Sequence, residues 1–528
     1  MTGTGDWRLI RPPPIMRRWN QRVKRLKSVW SRRTIVRSVL SVSSLALARC
    51  ATGHNQATPE LDIPAAFRAS AATAMAAWPS DTWWTGFASP ELNALIEQAR
   101  TQNFDIQAAI ARVRQADAQV RIAGAALLPT LNGTASAEWE HLGVNAGGSS
   151  FRGAAGSNAS ADFRSYGIGL SAAYQVDFWG HNLAHRESLV ASAEFSRFDQ
   201  RTVALTVITN VANTWFTALA LADRLAVARR NVADSEQTLA VIRGRLQAGT
   251  ASALDVANQA TLVAGEQANI PSFQSQLEQA LISLGILVGE PPERITVRPG
   301  TLTALKLPVV SPGLPSALLE RRPDVASAEA QLIASGFDVT TARTAFYPAV
   351  NLTGSAGYQA PALDALISPG GFIASLAAGL AAPIFDAGTL RGALEQAKGR
   401  QAELLADYRK AVVQAFTDVD NALTAWRYGS EQEKLQVVAV DTARQAAMIA
   451  RQQMLAGTAD VTAVLTAEAA LFTAEDTLVQ VRLARVQALL NLYKALGGGW
   501  KRSDAEKFPG LSPGMIEGGV ALPIGGNR

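Results

Sequence analysis

The chain carries one long pattern twice: a short alternating hairpin of strands, then a very long helical run without proline. No proline occurs between Pro129 and Pro271, and none between Pro383 and Pro509. The two copies can be laid over each other. Ala248-Gly249-Thr250-Ala251 returns as Ala456-Gly457-Thr458-Ala459, and Leu128-Pro129-Thr130-Leu131-Asn132 returns loosely as Tyr347-Pro348-Ala349-Val350-Asn351. Self-similarity of this kind limits the fold before any single motif does. It also forces an assembly, because two hairpins cannot close a sheet.

Strands are expected at 130–140 and 165–178, and again at 349–359 and 372–384. In 165–178 the residues Tyr166, Ile168, Leu170, Ala172, Tyr174, Val176 and Phe178 alternate strictly with small or polar ones. Period two means one apolar and one wet face. Each hairpin leads into a long helix, 183–248 and one from 389 to the second Ala-Gly-Thr-Ala, and each helix turns back through a shorter one, 253–287 and 461–496. Val211, Ala218, Leu225, Val232, Leu239 and Leu246 recur every seven residues, the pattern of supercoiled helices. In the second copy Glu433 breaks the same register just after Gly429-Ser430, which predicts an interruption of that helix. Gly249 and Gly457 suit left-handed helix ends, and Thr250 and Ser252 suit caps for the returning helix. A further single helix is expected over 90–126.

The resulting organisation is a signal segment 1–49, an N-terminal arm 50–89, a first repeat 90–287, a proline-rich connector 288–318, a second repeat 319–497 and a tail 498–528. The first repeat holds the strand hairpin 130–178 and the helical hairpin 183–287. The second holds the strand hairpin 349–384 and the helical hairpin 389–496.

The net charge of +5 misleads about partners. Residues 1–49 carry ten arginines, two lysines and one aspartate, or +11, which leaves 37 basic against 43 acidic residues in the rest. The body is mildly acidic, so no nucleic acid is expected as a partner. Basic residues up to Arg37 precede an apolar stretch that ends at Cys50, the only cysteine, which is the order of a signal peptide. Leu-Ala-Leu-Ala-Arg-Cys resembles a lipobox, with Arg49 where a small residue is usual, and Cys50 is the expected lipidation site. One cysteine excludes an internal disulfide and a thiolate metal cluster.

Residues 365–385 are uncharged, but Pro369, Gly370, Gly371 and Pro383 argue for strands over a spanning helix. The apolar strand faces carry Trp139, Tyr166, Phe178, Trp179, Tyr358 and Phe372 toward their ends, like the aromatic girdles of membrane barrels. Four strands are too few for a barrel, and an open edge cannot face lipid. Other copies of the chain must complete the sheet; two would give eight strands and three would give twelve.

Several short motifs resemble the TolC-like outer-membrane factors, in particular the lipidated NodT-type branch. They are Trp83-Trp84-Thr85-Gly86-Phe87 with Pro90-Glu91-Leu92, Asp177-Phe178-Trp179-Gly180, Arg322-Pro323-Asp324-Val325 with Ala328-Glu329, Phe346-Tyr347-Pro348, and Pro383-Ile384-Phe385-Asp386-Ala387-Gly388. The resemblance covers about 78–498. It implies a mainly α chain with a membrane β-barrel. The assembly would be a homotrimer whose 12-stranded barrel, four strands per chain, continues into a long periplasmic α-helical barrel. The implied function is a passive, gated duct of a tripartite efflux system for small molecules. Its implied partners are a periplasmic adaptor (membrane fusion protein), an inner-membrane pump of the resistance–nodulation–division type and outer-membrane lipid. A duct for type I protein secretion is the alternative reading of the same fold.

On this resemblance the helix-turn tips form the periplasmic entrance. Arg245, Gly249, Ser252, Leu254, Asp255 and Gly457 are the expected adaptor contacts, and Asp460 is the expected gate, because three carboxylates around a narrow axis repel and attract cations. Arg322 and Asp324 read as structural, opening a helix at Pro323. His181 and His185 stand at i, i+4 without a third ligand and are not expected to hold a metal. No nucleophile elbow, P-loop, zinc motif or dinucleotide fingerprint occurs, so neither an enzyme nor a cofactor is expected.

Overall fold

A computed structural model describes residues 63–64, 66–68, 78–142, 161–295, 300–308 and 315–503. The expected signal segment, Cys50, most of the N-terminal arm, the tip of the first strand hairpin and the tail beyond 503 lie outside the described residues. The elements run α1 (Pro90–Gln102), α2 (Phe104–Ala125), β1 (Thr130–Leu142), β2 (Ala161–Val176), α3 (His181–Gln247), α4 (Ala253–Val288), α5 (Pro315–Leu319), α6 (Pro323–Thr344), β3 (Ala349–Ala360), β4 (Phe372–Ala381), α7 (Thr389–Leu455) and α8 (Val461–Ala495). The order helix, strand hairpin, long helix, return helix therefore occurs twice. Both long helices have 67 residues, about 100 Å at about 1.5 Å per residue.

Two local expectations are corrected. The helix expected over 90–126 is two helices, because Asn103 leaves helical geometry at φ −61, ψ 130. Its side-chain oxygen caps α2 by accepting from the N–H groups of Asp105 and Ile106, and its amide donates 2.9 Å to the Leu287 carbonyl at the end of α4. A local cap and a contact 184 residues away thus meet at the break. Conversely, α7 runs unbroken past Gly429-Ser430. Glu433 stays in the seam because Arg482 and Arg485 of α8 reach it at 3.1 and 2.5 Å. At the foot of α3 the expected seam residue Leu246 is exposed and Ile242 is fully buried in its stead.

The main core sits where α1, α3, α4 and α8 meet. Trp83, Trp84 and Phe87 of the short 3-10 turn Trp83–Phe87 pack against Trp215, Phe216 and Tyr493. Trp83 stacks on Tyr493 at 4.7 Å, and Phe87 meets Phe216 at 5.0 Å. A second cluster joins Phe67 of the arm to Phe416, Val419 and Leu492. Arg322 closes it from one side. Only 7% exposed, it pairs with Asp324 at 2.6 Å and Asp418 at 2.9 Å, and donates to the last carbonyl of α8, Ala495, at 3.1 Å.

The four strands form one antiparallel meander, β1-β2-β3-β4. Leu131 lies opposite Ala172 and Ala135 opposite Ile168. Ile168 in turn faces Tyr358, Tyr174 faces Leu352, and Val350 faces Leu380. Directly paired residues share a face, and a slip of one residue would invert it. The register thus carries one apolar face across all four strands. β2 starts four residues earlier than expected and ends at Val176; β4 ends at Ala381 instead of 384. The outer edges of β1 and β4 have no partner strand among the described residues.

Candidate functional site

The tips of the two helical hairpins are built the same way. Gly249 and Gly457 take φ +76 and +75, a left-handed turn that costs glycine nothing. The Gly249 N–H donates to Leu246 O, and the Thr250 N–H to Arg245 O at 2.8 Å. In the second tip the Gly457 N–H donates to Met454 O, and the Thr458 N–H to Gln453 O at 2.9 Å. This is the Schellman pattern. Both threonine hydroxyls reinforce it at 3.1 Å, so Thr250 closes α3 rather than capping α4. Ser252 caps α4 in a reciprocal box with Asp255: its hydroxyl accepts from the Asp255 N–H, and the Asp255 carboxylate accepts from the Ser252 N–H at 2.8 Å.

The two tips are joined. The Arg245 guanidinium donates to the Met454 carbonyl in the last turn of α7, where helix carbonyls carry partial negative charge. Ile242, Ala450, Met454, Val461 and Val464 form a small apolar core beneath them. Leu254 and Asp460 stay exposed. Asp460 occupies the N-cap of α8 without a capping bond, its carboxylate 3.4 Å from the Thr462 hydroxyl. Arg245, Gly249, Ser252, Leu254, Asp255, Gly457 and Asp460 are thus gathered at one end of the helices.

Above the tips lies a polar cluster that sequence reasoning missed. Glu468 of α8 is 1% exposed. It accepts from the Thr238 hydroxyl of α3 at 2.6 Å, from Gln259 of α4 at 3.1 Å and from Arg451 of α7 at 2.6 Å. One carboxylate therefore ties all four long helices, and it bonds the first helical hairpin to the second.

At the opposite end, two of the sequence motifs are helix caps. The Asp177 carboxylate accepts from the Leu183 N–H at 2.8 Å. Asp386 accepts from Leu390 at 2.7 Å and Gly388 at 3.0 Å, and these backbone donors hold its carboxyl below the usual aspartate range. Trp179 stacks on Tyr347 at 4.9 Å and donates to Pro348 O at 2.8 Å, which locks the strand ends of the two repeats together.

The sheet beyond these caps is two-sided. Its apolar face carries Leu131, Ile168, Leu170, Leu352, Leu376 and Leu380, all exposed in the single chain. The other face carries Asn132, Thr134, Ser171, Ser355 and Ser375, with a hydroxyl contact of 2.8 Å between the last two. An apolar exterior and a small polar interior are what a water-filled membrane barrel needs. His181 is hydrogen-bonded to Thr344 and Thr341 at 3.1 Å. No group of three potential metal ligands occurs among the described residues.

The family model for outer membrane efflux proteins matches residues 95–290 and 314–498. The chain belongs to the outer membrane efflux protein family. A pyoverdine export outer membrane protein of Pseudomonas aeruginosa is 40% identical, over 88% of this channel chain and 97% of its own length. The corresponding protein of Pseudomonas putida is 36% identical, over 87% and 96%. A cation efflux system protein of Escherichia coli is 28% identical, over 87% and 98%. Among solved structures, the outer-membrane channel OprN superimposes with a TM-score of 0.78 at 26% identity, covering 85% of this chain and all of that one. The efflux chain is therefore an outer-membrane channel subunit with the TolC-like fold: a four-stranded contribution to a β-barrel continued by a helical barrel. The family is one of channels and not of enzymes.

Proposed function

We propose that three copies of the chain form one duct, in which the open edge of β1 in one copy pairs with β4 of the next to give twelve strands. The observation that carries this is the pair of sheet edges without a partner strand among the described residues, at either side of a face that is apolar from Val176 to Tyr166, an arrangement lipid cannot accept. Exposed apolar side chains along the helices, such as Val413, Leu435 and Val438 of α7 and Ile282 and Ile286 of α4, are the surfaces the copies would bury.

In this reading the tips are the periplasmic entrance, met by a periplasmic adaptor and fed by an inner-membrane pump of the resistance–nodulation–division type. Arg245, Gly249, Ser252, Leu254, Asp255 and Gly457 form the adaptor contact. Asp460, exposed and held in its own chain only by the Thr462 hydroxyl at 3.4 Å, supplies the gate carboxylates. Cys50 carries the lipid anchor, and the domain boundaries follow the repeats. The cargo is small molecules rather than proteins. Relatives at 40% and 36% identity are named for pyoverdine export, which makes pyoverdine the first substrate to test.

The test is direct. Protein extracted from the outer membrane in mild detergent is imaged by negative-stain electron microscopy and inserted in planar bilayers. Three-fold particles with a long hollow stalk and discrete conductance steps are expected; monomers without conductance would overturn the assembly. Pyoverdine export restored to a channel-deletion host tests the cargo separately.

A further inference from the structure

The outward face of the sheet ends in a row of side chains that hydrocarbon cannot satisfy. From the row of Val176, Val350 and Leu380 to the row of Ala137, Tyr166 and Ala360, that face carries no Asp, Glu, Lys, Arg or His. Tyr166 and Val176 are ten residues apart, roughly 34 Å along a strand at about 3.4 Å per residue. At a tilt of about 40° this is about 25 Å along the membrane normal. The uncharged band alone therefore spans the hydrocarbon layer. Tyr166, Tyr358 and Phe372 rim it on the side away from the helices, with Tyr358 and Phe372 edge to face at 5.6 Å.

Arg164 stands two residues beyond Tyr166, about 5 Å further out along the normal. It is exposed, and its cross-strand neighbour on the same face is Trp139, also exposed. The next row outward holds His141 and Asp162, already joined to each other at 2.7 Å. Glu138 and Glu140 belong to the opposite face by register. The Arg164 side chain has no ion pair or hydrogen bond among the described residues. A guanidinium held at headgroup depth, beside an indole whose ring favours the same interface, matches a phosphate geometrically and electrostatically.

We propose that Arg164, flanked by Trp139, binds a phosphate of the glycolipid that makes up the outer leaflet of the Gram-negative outer membrane. The proposal rests on the sheet being part of an outer-membrane barrel with its helices on the periplasmic side. It adds a lipid-binding site on the outside of the duct, independent of the transport path. The contact also fixes the depth of the barrel, since the three copies place Arg164 at one level around the circumference.

The experiment titrates lipid A onto the delipidated full-length channel and reads adducts by native mass spectrometry. Wild type and Arg164→Ala are each offered bisphosphorylated lipid A and its enzymatically dephosphorylated form. A charge-assisted hydrogen bond is worth about 1.5–3 kcal/mol, so Arg164→Ala is expected to weaken the bisphosphorylated lipid about tenfold or more. The wild type is expected to bind the dephosphorylated lipid as weakly as the variant binds either. Arg164→Lys keeps the charge without the fork and should fall between. Equal binding of the two lipids by wild type, which needs no variant to fold, overturns the proposal. So does Arg164→Ala binding like wild type, or full competition by millimolar inorganic phosphate, which would make the site a free-anion site. Trimer and conductance measurements on the same preparation show separately whether the barrel itself has formed.

Discussion

Replacing Glu468 by alanine tests whether the four-helix clamp holds the entrance shut. The carboxylate accepts three hydrogen bonds, from Thr238, Gln259 and Arg451, at 2.6, 3.1 and 2.6 Å. Removing one partner of a buried charge pair costs about 3–5 kcal/mol. Thr238 retains a second acceptor, Asp234 O at 3.2 Å, and Gln259 retains Ser235 O at 3.1 Å. The Arg451 side chain is 36% exposed, so water replaces part of its lost partner. The lower end of the range applies, about 3 kcal/mol.

The clamp joins α3 and α4 to α7 and α8. If the hairpins part at this level when the tips splay, the loss falls on the closed state alone. At about 1.4 kcal/mol per factor of ten, the open population rises about a hundredfold. Thr238→Val removes one donor, worth about 1 kcal/mol or about fivefold. Glu468→Gln falls between, because its new amide N–H groups confront the Gln259 amide, itself a donor. The assay is the resting conductance of purified channels in planar bilayers without adaptor or pump, with assembly checked first by electron microscopy. An assembled Glu468→Ala channel with wild-type resting conductance would refute the reasoning, since it would mean that the hairpins open as one body and never separate at the clamp.

Four further substitutions test other parts of the same structure. Arg322→Ala leaves Asp324, Asp418 and the Ala495 carbonyl without their shared cation and should cost about 3–5 kcal/mol; the melting temperature falls, and Arg322→Lys does not restore it because the two-pronged contact to Asp324 is lost. Gly497→Ala places a Cβ 1.7 Å from the Arg321 carbonyl at φ +82 and should abolish the assembled channel in outer-membrane fractions. By contrast, Gly399→Ala, in α7 with nothing within 4 Å of the new methyl, should be neutral or stabilise by up to about 1 kcal/mol. Burial raises the Glu266 carboxyl above its ordinary value of 4.5, with Asn269 and Asn231 pulling the other way. Its charge therefore costs stability at pH above the folded value, and the cost vanishes as pH falls below 4.5. Glu266→Gln should raise the melting temperature at pH 7.5 and leave it unchanged at pH 4; a rise at both would remove the titration from the explanation.

How far the sequence carried the fold depends on the distance over which each feature is decided. The strand faces were legible because period two is local, and the register then aligns them without exception across four strands. The twin tips were legible because a left-handed glycine leaves its mark at Gly249 and Gly457 whatever surrounds it. The break at Asn103 and the absence of a break near Glu433 were not, and both have the same cause. The Leu287 carbonyl decides the first, and Arg482 and Arg485 decide the second. Each of these partners comes from another helix; the only local sign is Asn103 itself, a preferred N-cap residue that accepts from the Asp105 and Ile106 N–H groups. Glu468 belongs to the same class but did leave a trace. It lies between Val464 and Phe472 at i, i+4 spacing, and both neighbours are buried. A carboxylate on an otherwise apolar stripe cannot be left bare in a packed bundle, so the stripe by itself demands a cation and further donors on the facing helices. Glu433 in its heptad seam makes the same demand. Reading such charges as requests for partners, rather than as ends of helices, would have kept α7 whole and located the clamp.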